Sequence, residues 1–262
     1  MDLDKTIIAG SSSLAFSRPF LQHGLISRRT ALRSAYAQFL LMFSGADADL
    51  MEKMRSRLAQ LCTGWDVAQV RTVVAETLHD IVEPLIYAEA AALIADHQQR
   101  GDEVVVLSAS GEEVVRPIAE LVGADDCIAT RMVVQGGRYT GEIELYCYGE
   151  QKAEQARAVA AQRGYDLAAC HAYSDSITDL PLLEVVGHPV VVNPDRALRR
   201  VAITRGWPVL SFTKPVRLKR QIRPPSAQTV TVAAGLAAVA VLALGWYGRR
   251  RQRVGRAATA MG

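Results

Sequence analysis

Val104-Val105-Val106-Leu107-Ser108-Ala109-Ser110-Gly111 is a short apolar run that ends in a hydroxyl and a small-residue turn. Gly101 precedes it, and Glu103–Leu107 has the composition of a strand buried on both faces of a parallel sheet. Before this run the period is helical. Ala31–Phe43 spaces Leu32, Ala35, Tyr36, Phe39, Leu40 and Phe43 along one helix face. Ala46–Leu61, Val67–Val82 and Tyr87–Gln99 repeat the pattern, with Asp66 as N-cap of the segment that starts at Val67. After the run, strands are predicted over Ile128–Val134, Leu167–Tyr173, Pro189–Val192 and Val209–Phe212. Helices are predicted over Glu112–Leu121, Glu150–Arg163, Asp179–Val185 and Asp195–Arg205. Strand and helix alternating in this rhythm predict an α/β fold with a mostly parallel sheet, and the helical block over 12–80 sits beside it.

The 262 residues give room for one large domain or two small ones. Cys62, Cys127, Cys147 and Cys170 are scattered with no CxxC pair, which excludes a disulfide framework and a cysteine-rich zinc site. Of 30 basic and 27 acidic residues, ten basic and no acidic ones lie from Lys214 onward, so residues 1–213 carry a net charge of −7. An acidic body argues against nucleic acid as the main partner.

The tail holds an 18-residue uncharged stretch, Val230–Tyr247, between Pro224-Pro225 and Arg249–Arg251. At about 1.5 Å per residue it measures roughly 27 Å, near the hydrocarbon thickness of a bilayer. Trp246 and Tyr247 stand where aromatic side chains favour the interface. The expectation is a transmembrane helix over 230–247, between a basic linker (214–229) and a basic tail (248–262). Met1 is followed by Asp2, Asp4 and Lys5, not by the apolar run of a signal peptide. The localisation expected is therefore a single-pass membrane protein with its catalytic domain cytoplasmic and the lipid bilayer as a partner. Ala233/Ala237 and Ala234/Ala238 would let two such helices approach, which suggests a homodimer.

Four short motifs carry chemistry. Met1-Asp2-Leu3-Asp4-Lys5-Thr6 puts two carboxylates two residues apart, so in a strand they share one side while Leu3 points away. Ser108 and Ala109 open a turn before a helix, where backbone N–H groups can approach a phosphate. Lys152 begins a helix after Tyr148-Gly149. Ser174-Asp175-Ser176-Ile177-Thr178-Asp179 places two acids four apart at a strand end, an oxygen-donor pattern that suits a hard cation.

In this order and spacing the motifs resemble the haloacid dehalogenase superfamily, and more closely its phosphoserine-phosphatase-like branch, over residues 1–212. Val191-Val192-Asn193-Pro194-Asp195 also fits that branch. The resemblance implies a Rossmann-like three-layer core over 1–13 and 81–213, with a helical cap over 14–80. It implies an Mg²⁺-dependent phosphomonoester hydrolase acting on a small phosphorylated substrate through an aspartyl phosphate. Asp2 would be the nucleophile and Asp4 the acid and base. Thr6, Ser108 and Ala109 would orient the nucleophile and the phosphoryl oxygens, and Lys152 would neutralise charge. Mg²⁺ would be held by Asp2, the Asp4 carbonyl and Asp175, with Asp179 as a ligand or a support behind the ligands. Asn193 and Asp195 read as a turn and a helix N-cap.

Two positions depart from the pattern. Phosphoserine phosphatases carry a Glu nine residues after the nucleophile to meet the substrate amine; here Ser11 stands there, so an ammonium loses its partner. Arg18, Arg28, Arg29 and Arg33 in the cap could receive an acidic or phosphorylated group, while each taken singly reads as a solvated surface arginine. The second departure is that only Met1 precedes Asp2, where a central strand needs roughly five apolar residues. The expectation is a translation start upstream; the alternative is a catalytically impaired, membrane-bound interaction module of the same fold.

Overall fold

The computed structural model describes residues 1–26 and 59–213. Helices α1 (Ser12–Ala15) and α2 (Ser17–Gln22) follow the first motif. α3 (Val67–Ile81) and α4 (Ala88–Gln99) lead into β1 (Val105–Gly111) and α5 (Glu112–Leu121). A hairpin of β2 (Asp126–Gln135) and β3 (Arg138–Leu145) comes next, then α6 (Glu150–Arg163) and β4 (His171–Ser174). The remaining elements are α7 (Leu180–Glu184), β5 (His188–Val192), α8 (Arg196–Arg205) and β6 (Val209–Leu210).

β1 pairs parallel with β2, and β4, β5 and β6 pair parallel in that order. Met1 and Asp2 lie between the two groups. Leu107 N–H donates to Met1 O, Asp2 N–H donates to Tyr173 O, and the Met1 ammonium donates to Val105 O. Asp2 is thereby tied to β1 on one side and β4 on the other. This is the expected Rossmann-like α/β arrangement, with two corrections. The strand expected over Leu167–Tyr173 begins as a 3-10 helix at Leu167–Ala169, and only His171–Ser174 pairs in the sheet. The strand over 128–134 is not purely parallel. Val105–Ser108 pair with Asp126–Ala129, but from Arg131 onward β2 turns to an antiparallel partner, β3. Gly136-Gly137, both at positive φ, make the tight connection.

Sequence and structure agree on helix starts where a cap is present. The Asp66 carboxylate accepts the N–H groups of Ala68 and Gln69, and Asp195 caps α8 in the same way. α5 buries Val114, Val115, Ile118 and Ala119, one stripe at helical spacing, against a core that includes Leu3, Ile7, Ile8, Phe16, Val74 and Val106.

The expected membrane helix over 230–247, its linker and tail, the homodimer contact and residues 27–58 of the expected cap lie outside the described residues. The single-pass localisation is corrected: no helix among the described residues is long and apolar enough to cross a membrane. The longest of them, α3, has 15 residues, and its apolar side is spent on the protein core.

Candidate active site

The four motifs converge on one cavity of about 240 Å³, lined by Asp2, Asp4, Lys5, Ser11, Ser108, Ala109, Tyr148, Lys152, Asp175, Ser176, Thr178 and Asp179. Each arrives by a local device. Asp2 is anchored between β1 and β4 as above. After Asp4 the chain turns sharply: Lys5 has φ +59° and its N–H donates to Gly10 O. The β1 register slips between Ser108 and Gly111, which releases Ala109 and Ser110 from the ladder at the cavity edge. Gly149 has φ +57°, a backbone that favours glycine, and starts α6 so that Lys152 falls in its first turn. The loop carrying Asp175 is held by Asp195. Its N–H donates to Asp175 O at 2.7 Å, and its Oδ2 accepts Ile177 N–H at 2.8 Å.

Lys152 is the centre of the charge arrangement. Its Nζ donates to Asp2 Oδ1 at 2.6 Å and to Asp179 Oδ2 at 2.7 Å, with all three side chains buried. Ser174 Oγ also donates to Asp179 Oδ2, at 2.7 Å. Burial alone would lower the lysine pKa, but the two carboxylates outweigh it and hold the ammonium well above its ordinary range. Burial pushes Asp2 from 3.8 up to about 6 against the pull of Lys152. Burial, then the nearby Asp2 charge, pushes Asp175 up to about 7. Asp4 is raised by burial and pulled back by the Ser12 N–H that donates to its Oδ1 at 2.9 Å.

Four carboxylates and two ammonium groups line the cavity, and one of those ammonium groups is already shared by two of the acids. Such a site is short of positive charge, and its donors are all oxygen. That chemistry fits a hard divalent cation. Among the described residues, no group of three His, Cys, Asp or Glu side chains forms a ready-made metal cage. A cation here would therefore draw on the Asp4 carbonyl as well as carboxylates.

The expected residues are not all at the cavity wall. Asp2, Asp4, Ser108, Ala109, Lys152, Asp175 and Asp179 line it; Thr6 does not. Thr6 is fully buried and its Oγ1 faces Asp2 Oδ2 at 3.5 Å, so it supports the carboxylate from behind. Asp179, with Oδ2 committed to Lys152 and Ser174, is placed to anchor the lysine. Asn193 and Asp195 stand as a turn residue at φ +44° and a helix cap, and neither lines the cavity. Ser11 lines the cavity, and no carboxylate stands at that position to meet a substrate ammonium. Sequence reasoning missed Ser174, Tyr148, Thr178 and the hydroxyls of Ser12, Ser13 and Ser110. Ser174, Thr178 and Ser110 lie inside the quoted motif stretches and Tyr148, Ser12 and Ser13 beside them, but no spacing singles them out.

The haloacid dehalogenase-like hydrolase family model matches residues 1–184. A Mycobacterium tuberculosis protein named probable phosphatase is 59% identical over 252 residues, 95% of this chain and 88% of that protein. A Streptomyces azureus protein named inhibition of morphological differentiation protein is 58% identical over 256 residues, 96% of this chain and 92% of that one. The crystal structure of a phosphoserine phosphatase in apo form superposes with TM-score 0.58 over 82% of this chain and 92% of that chain, at 17% identity, a likeness of fold.

Proposed function

The chain belongs to the haloacid dehalogenase-like hydrolases and is a phosphatase of phosphoric monoesters, and from that premise we propose that it works through an aspartyl phosphate on Asp2 with a small organic phosphate as substrate. The observation that carries this reading is the buried Asp2 carboxylate, fixed by Lys152 at 2.6 Å and open to a cavity it shares with Asp4, Ser108 and Ala109. Asp2 attacks phosphorus as the bond to the alcohol oxygen breaks. Asp4 gives that oxygen its proton. Water then attacks phosphorus, Asp4 takes a proton from it, and phosphate leaves with Asp2 restored. Lys152 offsets charge on Asp2 and on the transferring group throughout, and Asp179 with Ser174 holds the lysine in place.

Asp2, the Asp4 carbonyl and Asp175 would hold Mg²⁺. When bound, the ion supplies positive charge that reduces the repulsion between a carboxylate nucleophile and a phosphate dianion. The neutral Ser11 favours alcohols without an ammonium group over phosphoserine. The direct test is phosphate release from a panel of phosphomonoesters, with Mg²⁺ and with EDTA. Metal-dependent turnover of at least one monoester is the expected outcome; turnover of none, or equal turnover in EDTA, would remove the proposal.

Asp175 gives an independent check on the metal-free protein. Its folded pKa is raised from 3.8 to about 7, so its favourable contribution is fully present below pH 3.8 and is lost as pH rises through 7. One pKa unit is about 1.4 kcal/mol, which bounds the loss at roughly 4 kcal/mol. Asp175→Asn removes the ionisation. In EDTA it should be more stable than the wild type by about 1–3 kcal/mol at pH 8 and equal to it at pH 4, by urea unfolding. A variant less stable than wild type at pH 8 contradicts the site electrostatics.

A further inference from the structure

Behind Asp4 lies a group of three serine hydroxyls, one at the end of the second motif and two just after the first, none of them given a role so far. Ser110 Oγ faces Asp4 Oδ2 at 3.5 Å. It accepts a hydrogen bond from Ser12 Oγ at 2.7 Å and lies 3.0 Å from Ser13 Oγ. Ser110 is buried, and its backbone N–H is bonded to Ser108 Oγ at 3.2 Å, which ties it to the turn at the cavity edge. Ser110 itself does not line the cavity.

We propose that Ser110 is a positioning residue for Asp4, with Ser12 and Ser13 fixing the hydroxyl that does it. The inference rests on Asp4 being the acid and base. A carboxyl group on a short side chain rotates easily about its last bond. Here two contacts oppose that rotation: Ser12 N–H at Oδ1 and Ser110 O–H at Oδ2. Each carboxyl oxygen has two lone pairs, so one on each stays free for the travelling proton. Ser110 has one hydrogen to give and two lone pairs to fill. Ser12 fills one lone pair, and with Ser13 donating to the other, as the proposal requires, the Ser110 hydrogen is left for Asp4. A third hydroxyl in line strengthens the bond it feeds, and Ser13, exposed at the surface, needs no buried partner of its own.

Leaving groups separate positioning from mere packing. An alkoxide must be protonated as it departs, whereas p-nitrophenolate leaves without help. The parameter to compare is kcat/KM, which covers only the steps up to the phosphoenzyme. Ser110→Ala should lower kcat/KM for glycerol 2-phosphate by about 30-fold and for p-nitrophenyl phosphate by less than about 3-fold. Ser13→Ala, at an exposed position that leaves folding untouched, should show the same preference at about 3-fold on the alkyl ester. Equal losses on both substrates in both variants would overturn the inference and leave Ser110 a packing residue. Asp4→Asn is the control. A steep preference there with a flat one in Ser110→Ala removes only the role of Ser110. A flat preference in Asp4→Asn removes the acid–base reading of Asp4 together with the inference built on it.

Discussion

Asp2→Asn is expected to lower phosphate release by roughly 10⁴-fold or more while the protein stays folded. An amide oxygen is a poor nucleophile toward phosphorus, and nothing else in the cavity is placed as Asp2 is, at 2.6 Å from Lys152 and beside Asp4. The fold should tolerate the change. Asn has nearly the same shape, and the backbone bonds to Leu107 and Tyr173 that hold residue 2 do not involve the side chain. Lys152 keeps Asp179 as a partner, and the cost of burying the Asp2 charge disappears. The net change in stability should stay within about 1.5 kcal/mol. Initial rates and a thermal melt on the same preparation decide it. Activity within tenfold of wild type takes Asp2 out of the mechanism.

Lys152→Met is expected to damage activity and stability together. It leaves Asp2 and Asp179 buried without their shared cation, a situation that typically costs about 3–5 kcal/mol. The sign of its pH dependence follows from the same geometry. Without the ammonium, Asp2 loses the pull that offsets its burial, so its folded pKa moves further above the unfolded one. The deficit of the variant should therefore be smaller near pH 4, where Asp2 is protonated, and grow as pH rises through 7. Urea unfolding at pH 4.5 and 8 measures the difference. Phosphate release should drop by about 10²–10³-fold, because the charge offset for Asp2 and the phosphoryl group is gone. A variant within 1 kcal/mol of wild type at pH 8 would mean that the ion-pair arrangement is not what holds the two acids.

The two variants probe different links. Asp2→Asn removes the reacting atom and keeps the electrostatic frame. Lys152→Met keeps the nucleophile and removes the frame. If both lose activity but only Lys152→Met loses stability, nucleophile and counter-charge are separate functions of one buried pair.

Much of this protein is written locally. The order of the four motifs, the α/β rhythm and the helix starts at Asp66 and Asp195 follow from side-chain period and capping, which act within a few residues of chain. That is why Glu112–Leu121, with its stripe of Val114, Val115, Ile118 and Ala119, was legible to its ends. The resemblance to a phosphatase family was legible too, since the motif residues keep their types and spacing. The β2–β3 hairpin was not. Its second strand, Arg138–Leu145, alternates Tyr139, Ile143 and Leu145 with Arg138, Thr140, Glu142 and Glu144, the period of a half-buried strand, and lacks the unbroken apolar run that marked the other strands. The direction of a strand's partner is set by the path of the whole chain, so no local pattern turns β2 from a parallel neighbour to an antiparallel one.

By itself, the sequence singled out Asp2, Asp4, Ser108, Lys152, Asp175 and Asp179, which the fold brings to one cavity. Only the tertiary structure decided which of them touch. Lys152 lies 150 positions from Asp2, and their contact at 2.6 Å exists because α6 and the β1–β4 junction meet at one end of the sheet. Asp179 became a partner of that lysine, Thr6 a support behind the nucleophile, and Ser110 a hydroxyl aimed at Asp4, through distances that no spacing encodes. The physical reason is that burial and charge are properties of an assembled site. A carboxylate's neighbours, and with them its pKa, are fixed only when distant segments have shut out the water between them.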